Sequence, residues 1–293
     1  MPRIRQKITF GLELEATHLS GSAIQLSANR GFELRPDGTI KDSMGYKIPT
    51  AREIITPVLT AMIDSGQDGS DMEIDFGDNA QVVNDMCKCA QKVNVSCGLH
   101  VHLGRPDPKD LGGHSKWQPE SLRTFLILGR LMENQLFQVV PESRRKNDYC
   151  KLIDQVYSRD EMMSYYPIGK VVANKRENTK RYCWLNLIET QRVGTKRTPG
   201  LGEGPATKTV EIRLLGNTRR FNYIWAWTRF WVRVAAYIAY VPTSLAVAQL
   251  TIGLDKMLEE VRAAKAAADA AEISAESAPA SSITRINVLD TPN

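Results

Sequence analysis

The hydrophobic positions of this chain fall into two periods, two and 3.6, and each picks out its own elements. Three stretches alternate strictly. From Ile8 to Glu15, Ile8, Phe10, Leu12 and Leu14 point one way, and Gly11, Glu13 and Glu15 the other. From Ser96 to Gly104, Val95, Cys97, Leu99, Val101 and Leu103 oppose Ser96, Gly98, His100 and His102. From Thr209 to Leu215, Val210, Ile212 and Leu214 oppose Glu211 and Arg213. Each stretch is a strand with one apolar face and one face that carries two neighbouring ionisable groups. Shorter strands are expected over 31–34, over 52–57, where Pro57 ends the run, and over 182–188.

The helical period appears over 79–93, with Val82, Val83, Met86, Ala90 and Val93 on the buried side. It recurs from Pro119, which suits a first helical turn, to about Val140, where Pro141 stops it. Residues 222–240, with Trp225, Trp227 and Trp231, read as a buried helix, and a last helix runs from 244 to about 271. Between these lie a small polar connector at 20–29 and a Pro-Asp-Gly turn at 36–39. A Gly- and Asp-rich loop is expected over 64–78, and a Pro- and Gly-rich loop over 105–113 with His114 beside it. The long basic segment 190–208 joins two strands as a hairpin and reads either as disordered or as a lid over an anionic ligand. After 271 the chain turns to Ala, Ser, Glu and Pro, a composition that does not build a core. This divides the chain into one folded unit, 1–254, and a helix end with a disordered tail, 255–293.

Composition narrows the class. Hydrophobic residues make up 42% and charged residues 24% of 293, ordinary values for a globular protein with a sizeable core. The net charge of +5 suits an anionic ligand without requiring nucleic acid. Residues 234–254 carry no charge and are long enough to span a bilayer. Pro242, Thr243, Ser244 and Gln249 interrupt them, so two helices separated by a break are expected, and no membrane partner. The N-terminus has no apolar run behind its charges and is not a signal peptide. The five cysteines match no disulfide or zinc spacing and point to reduced thiols in a cytoplasmic setting.

The polar faces carry the chemistry. Taken alone, Glu13–Glu15 or Glu211–Arg213 is the solvated side of an antiparallel sheet. Glu53 alone is an edge-strand surface carboxylate. The cations Arg144, Arg145 and Lys146 either sit in solvent at a helix end or reach inward to phosphate. Taken together in one sheet, the three strands would line a cup with Glu13, Glu15, His100, His102, Glu211 and Arg213. Neighbouring carboxylates on one face repel unless a cation lies between them.

The order of these motifs resembles a known family. Residues 10–15 (Phe-Gly-Leu-Glu-Leu-Glu), 37–39 (Asp-Gly-Thr), 53–57 (Glu-Ile-Ile-Thr-Pro), 97–102 (Cys-Gly-Leu-His-Val-His) and 211–213 (Glu-Ile-Arg) are similar, in that order, to the amidoligase family. These are carboxylate–amine ligases with the glutamine synthetase fold. Segments 143–150 and 182–186 are similar to the family's intervening parts, and the likeness covers about residues 8–240. The resemblance implies an α+β fold, with a mostly antiparallel curved sheet forming an active-site cup and helices on its other face. It also implies ATP-dependent amide formation through an acyl phosphate, with Mg2+ or Mn2+. Glu15 and Glu53 would hold one cation, and Glu13, His100 and Glu211 the other. Arg213 would neutralise the transferring phosphoryl group, and His102 would touch nucleotide phosphate or substrate. Arg144 and Arg145 are candidates for nucleotide phosphates, and Asn186 for a substrate carboxylate. Relatives of this fold often assemble, so a homo-oligomer is a possible partner state.

The chemistry fits those roles. Phosphoryl transfer needs positioning and charge neutralisation, which carboxylate-held hard cations and an arginine supply. No P-loop or Rossmann fingerprint is present, so a nucleotide would have to be held in the cup. Two rival readings stand beside it. One is a metal-dependent hydrolase using His100 and His102. The other is a non-catalytic nucleic-acid-binding or assembly protein with a vestigial cup.

Overall fold

Strand β1 (Ile4–Ala16) is the axis of the fold, because it pairs with three other strands along its length. The structure is a computed structural model that describes residues 4–65, 72–106, 114–115, 117, 119–145, 147–163, 182–187, 209–216, 218–241 and 243–277. After β1 come β2 (His18–Leu19), α1 (Ala23–Arg30), β3 (Glu33–Pro36), β4 (Arg52–Ile55), β5 (Leu59–Ser65) and β6 (Glu73–Asp75). Then follow α2 (Asn79–Cys89), β7 (Ala90–Lys92), β8 (Gly98–Pro106), β9 (His114–Ser115) and α3 (Pro119–Gln138). Short helices α4 (Glu142–Arg145), α5 (Ile153–Val156) and α6 (Arg159–Met163) lead to β10 (Leu185–Asn186) and β11 (Val210–Gly216). Two long helices close the chain, α7 (Phe221–Tyr240) and α8 (Thr243–Ser277).

The main sheet runs β10-β11-β8-β1-β4-β3, and every named pair in it is antiparallel. Strand β5 also pairs with β1 and carries β6, and β9 pairs with β8. Strands β4 and β5 follow one another along the same edge of β1, parted at Pro57, which has no N–H to give a ladder. Thr56 bridges that break: its N–H donates to Leu12 O at 2.9 Å, and its hydroxyl accepts from Leu12 N at 2.9 Å. The apolar face of the sheet, with Ile8, Phe10, Leu12, Leu14, Leu99, Val101 and Leu103, is fully buried. Helix α7 packs on β1 and β8 there, and α8 and α3 pack on α7. Trp184, Trp227, Phe230 and Trp231 form an edge-on and stacked aromatic cluster within this core. The molecule is thus a mixed α+β protein whose sheet leaves its polar face clear of the long helices.

The expected strands and long helices appear where the periods place them, with several differences. The connector at 20–29 is in part helix α1. Its polar sequence hides a two-turn helix that buries Ala23 and ends on Gly31, whose φ of 71° suits glycine alone. The loop expected over 64–78 contains the end of β5 and all of β6, because Ile63 and Ile74 pair across them. Strand β5 falls where no strand is expected. The helix expected to reach 93 stops at Cys89, where the chain extends to pair with β2. His114 belongs to a short strand on β8 rather than to a loop, and the strand expected over 182–188 is only two residues long. The boundary at 254 falls inside α8, where Leu254, Leu258 and Val261 are all buried, and α8 continues to Ser277. Segment 190–208 and the tail from 278 lie outside the described residues. Among the described residues no helix is long and apolar enough to cross a membrane, and the uncharged run 234–254 is shared between α7 and α8. All five cysteines are free and buried.

Candidate active site

Antiparallel register decides which polar side chains meet, because residues directly opposite one another share a face. Asn186 of β10 lies opposite Glu211 of β11, Glu211 opposite His102 of β8, and His102 opposite Gly11 of β1. One pleat along, His100 lies opposite Glu13. The next pleat aligns Glu15 of β1, Glu53 of β4 and Arg35 of β3. Gly11 carries no side chain at the centre of the first row and leaves space beside His102. Four carboxylates, two imidazoles and an arginine thus come from five strands to one face.

The side chains interlock. His100 Nδ1 is 3.2 Å from Glu211 Oε1 and 3.3 Å from Glu13 Oε2, and its Nε2 is 3.8 Å from Glu15 Oε1. His102 Nε2 is 3.2 Å from Glu13 Oε1, and its Nδ1 is 3.0 Å from Thr209 Oγ1. Arg213 Nη1 lies 3.2 Å from Glu211 Oε1, and Asn186 donates to Glu211 Oε2 at 2.6 Å. The Gly98 N–H donates to Glu15 Oε2 at 2.5 Å. Arg213 reaches the cluster through a bulge. Ile212 pairs with Val101 and Leu215 with Leu99, so Arg213 and Leu214 together oppose His100. The extra residue re-aims that strand beside the cluster.

Crowding sets the protonation pattern. Burial pushes the Glu13 pKa up, but His102 and His100 outweigh it and hold this carboxyl well below its usual range. Glu211 is 4% exposed; burial raises its pKa, yet Arg213, His100 and His102 keep it lowered. Arg213 is held charged: burial acts against the guanidinium, but Glu211 and the other carboxylates outweigh it. Glu53 behaves in the opposite way. Burial, followed by the charge of Glu13, its hydrogen bond to Glu13, and the charges of Glu15 and Asp37, pushes its pKa up to about 8. The cluster therefore keeps a proton on Glu53 at neutral pH, at a place where a cation would relieve the same repulsion.

Two sets of ligand atoms each lie within 4.8 Å of one another: Glu13, His102 and Glu211, and Glu13, Glu53 and His100. Glu13 is common to both. Each set offers two carboxylates and one imidazole, a donor set that suits Mg2+ through its oxygens and Mn2+ through its mixed ligands. The grouping differs from the one the resemblance implies. Glu53 falls with Glu13 and His100 rather than with Glu15, whose Oε2 accepts from the Gly98 N–H. His102, expected to touch phosphate or substrate, stands in a ligand set.

Arg144 and Arg145 part company. Arg145 is exposed and stands outside the cluster. Arg144 is 3% exposed and lies over Gly98 and Gly216, which face one another across β8 and β11. A Cβ at Gly216 would meet Arg144 Nε and Nη2 at 2.1 Å, and one at Gly98 would meet Arg144 Nη2 at 2.8 Å and Glu15 Oε2 at 3.2 Å. The guanidinium donates to Cys97 O and contacts Cys150 Sγ, while its Nε is buried with no hydrogen-bond partner. Two glycines thus make the cradle that brings a fixed positive charge to the Glu15 end of the cluster. Period-two counting alone could have found Thr209, which stands two residues before Glu211. Nothing local in the sequence pairs Gly216 with Arg144.

Beside Glu13 and His102 opens a cleft of about 140 Å³, lined by Gly11, Thr56 and Thr209 and walled by Ile55, Pro57 and Val58. No sequence profile of a known protein family matches this chain, and no curated protein matches it.

Proposed function

We propose that this protein is an ATP-dependent carboxylate–amine ligase that acts through an acyl phosphate on an amino acid, a peptide or a protein side chain, and that its sheet is the catalytic sheet of a glutamine synthetase-like fold. The observation that carries this reading is the pair of cation-ligand sets sharing Glu13, with the charged Arg213 3.2 Å from Glu211 at their edge. Glu13, His102 and Glu211 would hold one divalent cation, and Glu13, Glu53 and His100 the second. Bound there, the cations supply charge neutralisation for the nucleotide's phosphates.

The chain's own residues do the rest. Arg213 offers its guanidinium to the phosphoryl group as a substrate carboxylate oxygen attacks the γ-phosphorus and ADP leaves. The amine then attacks the acyl carbon, and phosphate departs with the bonding pair of the C–O bond and takes up the proton that the amine gives up. Asn186, fixed through Glu211, orients that carboxylate ligand from behind. Arg144 adds a fixed positive charge at the Glu15 end, and Ile55, Pro57 and Val58 offer an apolar wall beside Glu13 and His102. Cytoplasmic localisation belongs to the same proposal.

The shared Glu13 also favours one other reading, a two-metal hydrolase in which a bridging carboxylate sets the metal spacing. ATP separates the two. The test is ADP formation by the full chain with Mg2+ or Mn2+ against a panel of amino acids and amines, with mass spectrometry of products. One ADP per amide formed supports the ligase. Bond cleavage that proceeds equally without ATP refutes it.

A further inference from the structure

A basic cleft lies beyond the end of β1, apart from the carboxylate cluster. Its volume is about 590 Å³, within the range of small-ligand sites. His18 of β2, Lys92 of β7, and Arg219 and Arg220 of the turn before α7 line it, with Asp42 as its one acidic side chain. Thr17, on its wall, is four residues past Glu13, about 13 Å along an extended strand. The cations come from two segments far apart in sequence, with His18 from a third, so the cluster is a product of the fold and not of a basic run in the sequence.

The local electrostatics conflict with helix rules in a way that a bound anion resolves. Helix α7 has twenty residues, no side-chain cap at Arg220 and no acidic residue in its first turn. Anions stabilise such an end and cations oppose it, yet Arg219 and Arg220 immediately precede it. Arg219 is anchored by a bond from Nη1 to Ala90 O at 3.2 Å, which ties the turn to β7 and holds the cleft's two sides together. Among the described residues no ion pair engages Lys92 or Arg220. Departures from local rules of this kind concentrate at functional sites.

We infer that this cleft is a second ligand site, one that binds a small molecule through a phosphate or a cluster of carboxylates. Lys92 and Arg220 are its principal contacts, with the α7 N-terminus behind them. The inference does not depend on the ligase reading, because the site lies outside the cation-ligand sets.

The test is calorimetry on the full chain without metal, using pyrophosphate in one arm and citrate in the other. Binding in either arm is expected, and the arm names the chemistry. The double variant Lys92→Gln/Arg220→Gln should weaken it about tenfold or more, the cost of two charge-assisted hydrogen bonds. Asp42→Asn should strengthen it several-fold, an effect that misfolding cannot produce. Glu13→Gln should leave it unchanged, while removing any metal-dependent ATP turnover. No binding in either arm, or binding weakened by Arg213→Ala and indifferent to Lys92 and Arg220, overturns the inference. The second outcome would put the anion in the carboxylate cup, and so would leave the ligase reading standing.

Discussion

Glu53 gives the sharpest test of the cation site, because its proton and the cation compete for one place. Burial, with the charges of Glu13 and Glu15 added, pushes its pKa up to about 8 in the metal-free protein. A divalent cation binds the carboxylate and not the acid, so binding must expel that proton. Apparent affinity should fall about 50-fold between pH 8 and pH 6, with the slope approaching tenfold per pH unit below about pH 7. At pH 7 the group is about nine-tenths protonated, so calorimetry in buffers of different ionisation enthalpy should report close to one proton released on Glu53's account. Other groups titrate in this range, and the variant Glu53→Gln separates them: its release and its pH slope should be smaller by that one proton. Equal proton release in wild type and Glu53→Gln would refute the argument.

The same group makes an unusual statement about stability. A carboxyl whose folded pKa is raised stabilises the fold fully below its unfolded value and loses that contribution as pH rises through the folded one. Metal-free protein should therefore become less heat-stable between pH 5 and about 8, and Mn2+ or Glu53→Gln should each flatten the decline. Glu13 and Glu211 act oppositely. Their lowered pKa values contribute stability above the ordinary carboxylate range, which is lost only in more acidic solution.

Glu13→Gln strikes both ligand sets at once, so it should cost more cation affinity than Glu53→Gln or Glu211→Gln, as read by calorimetry with Mn2+. Arg213→Ala should lower ATP turnover by about 1,000-fold with little change in fold, measured as ADP release beside circular dichroism. Gly216→Ala should destabilise by about 2–4 kcal/mol, since its Cβ and Arg144 cannot both keep their places. In chemical denaturation the double variant Gly216→Ala/Arg144→Ala should be markedly more stable than the sum of the two single losses allows. Removal of divalent cations with a chelator should stop ATP turnover, and Mg2+ or Mn2+ should restore it.

What could be read in the sequence was what repeats every second residue. Glu13, His100, His102 and Glu211 share a face because each lies on a strand whose other face is continuous aliphatic core, and a slip of one residue would bury charge and expose Leu or Val. The long helices were legible for the same reason at their own period. Elements whose stabilisation comes from elsewhere were not. Helix α1 has few apolar residues and is fixed by its neighbour α2 and by Gly31. Strand β6 exists because β5 offers an edge to Ile74. The bulge at Arg213–Leu214 breaks the very alternation from which the strand was read, and only the partner strand reveals it.

That bulge joins fold to chemistry. In a regular ladder a single residue of β11 would oppose His100; here Arg213 and Leu214 share that place. Leu214 is fully buried, so the extra residue costs no apolar surface, and Arg213 is left to approach Glu211 on its own strand and to face the cluster with its Nε unpartnered. Glu211 then meets Arg213 and His100 at one oxygen and Asn186 at the other. A carboxylate so tightly held stays ionised despite complete burial, while Glu53, buried beside the charges of Glu13 and Glu15, takes up a proton. The cluster therefore has a rigid, charged half and a half whose charge is released on demand. A cation entering at Glu53 replaces a proton with a larger charge, and leaves the Glu211–Arg213 half undisturbed to meet an anionic substrate.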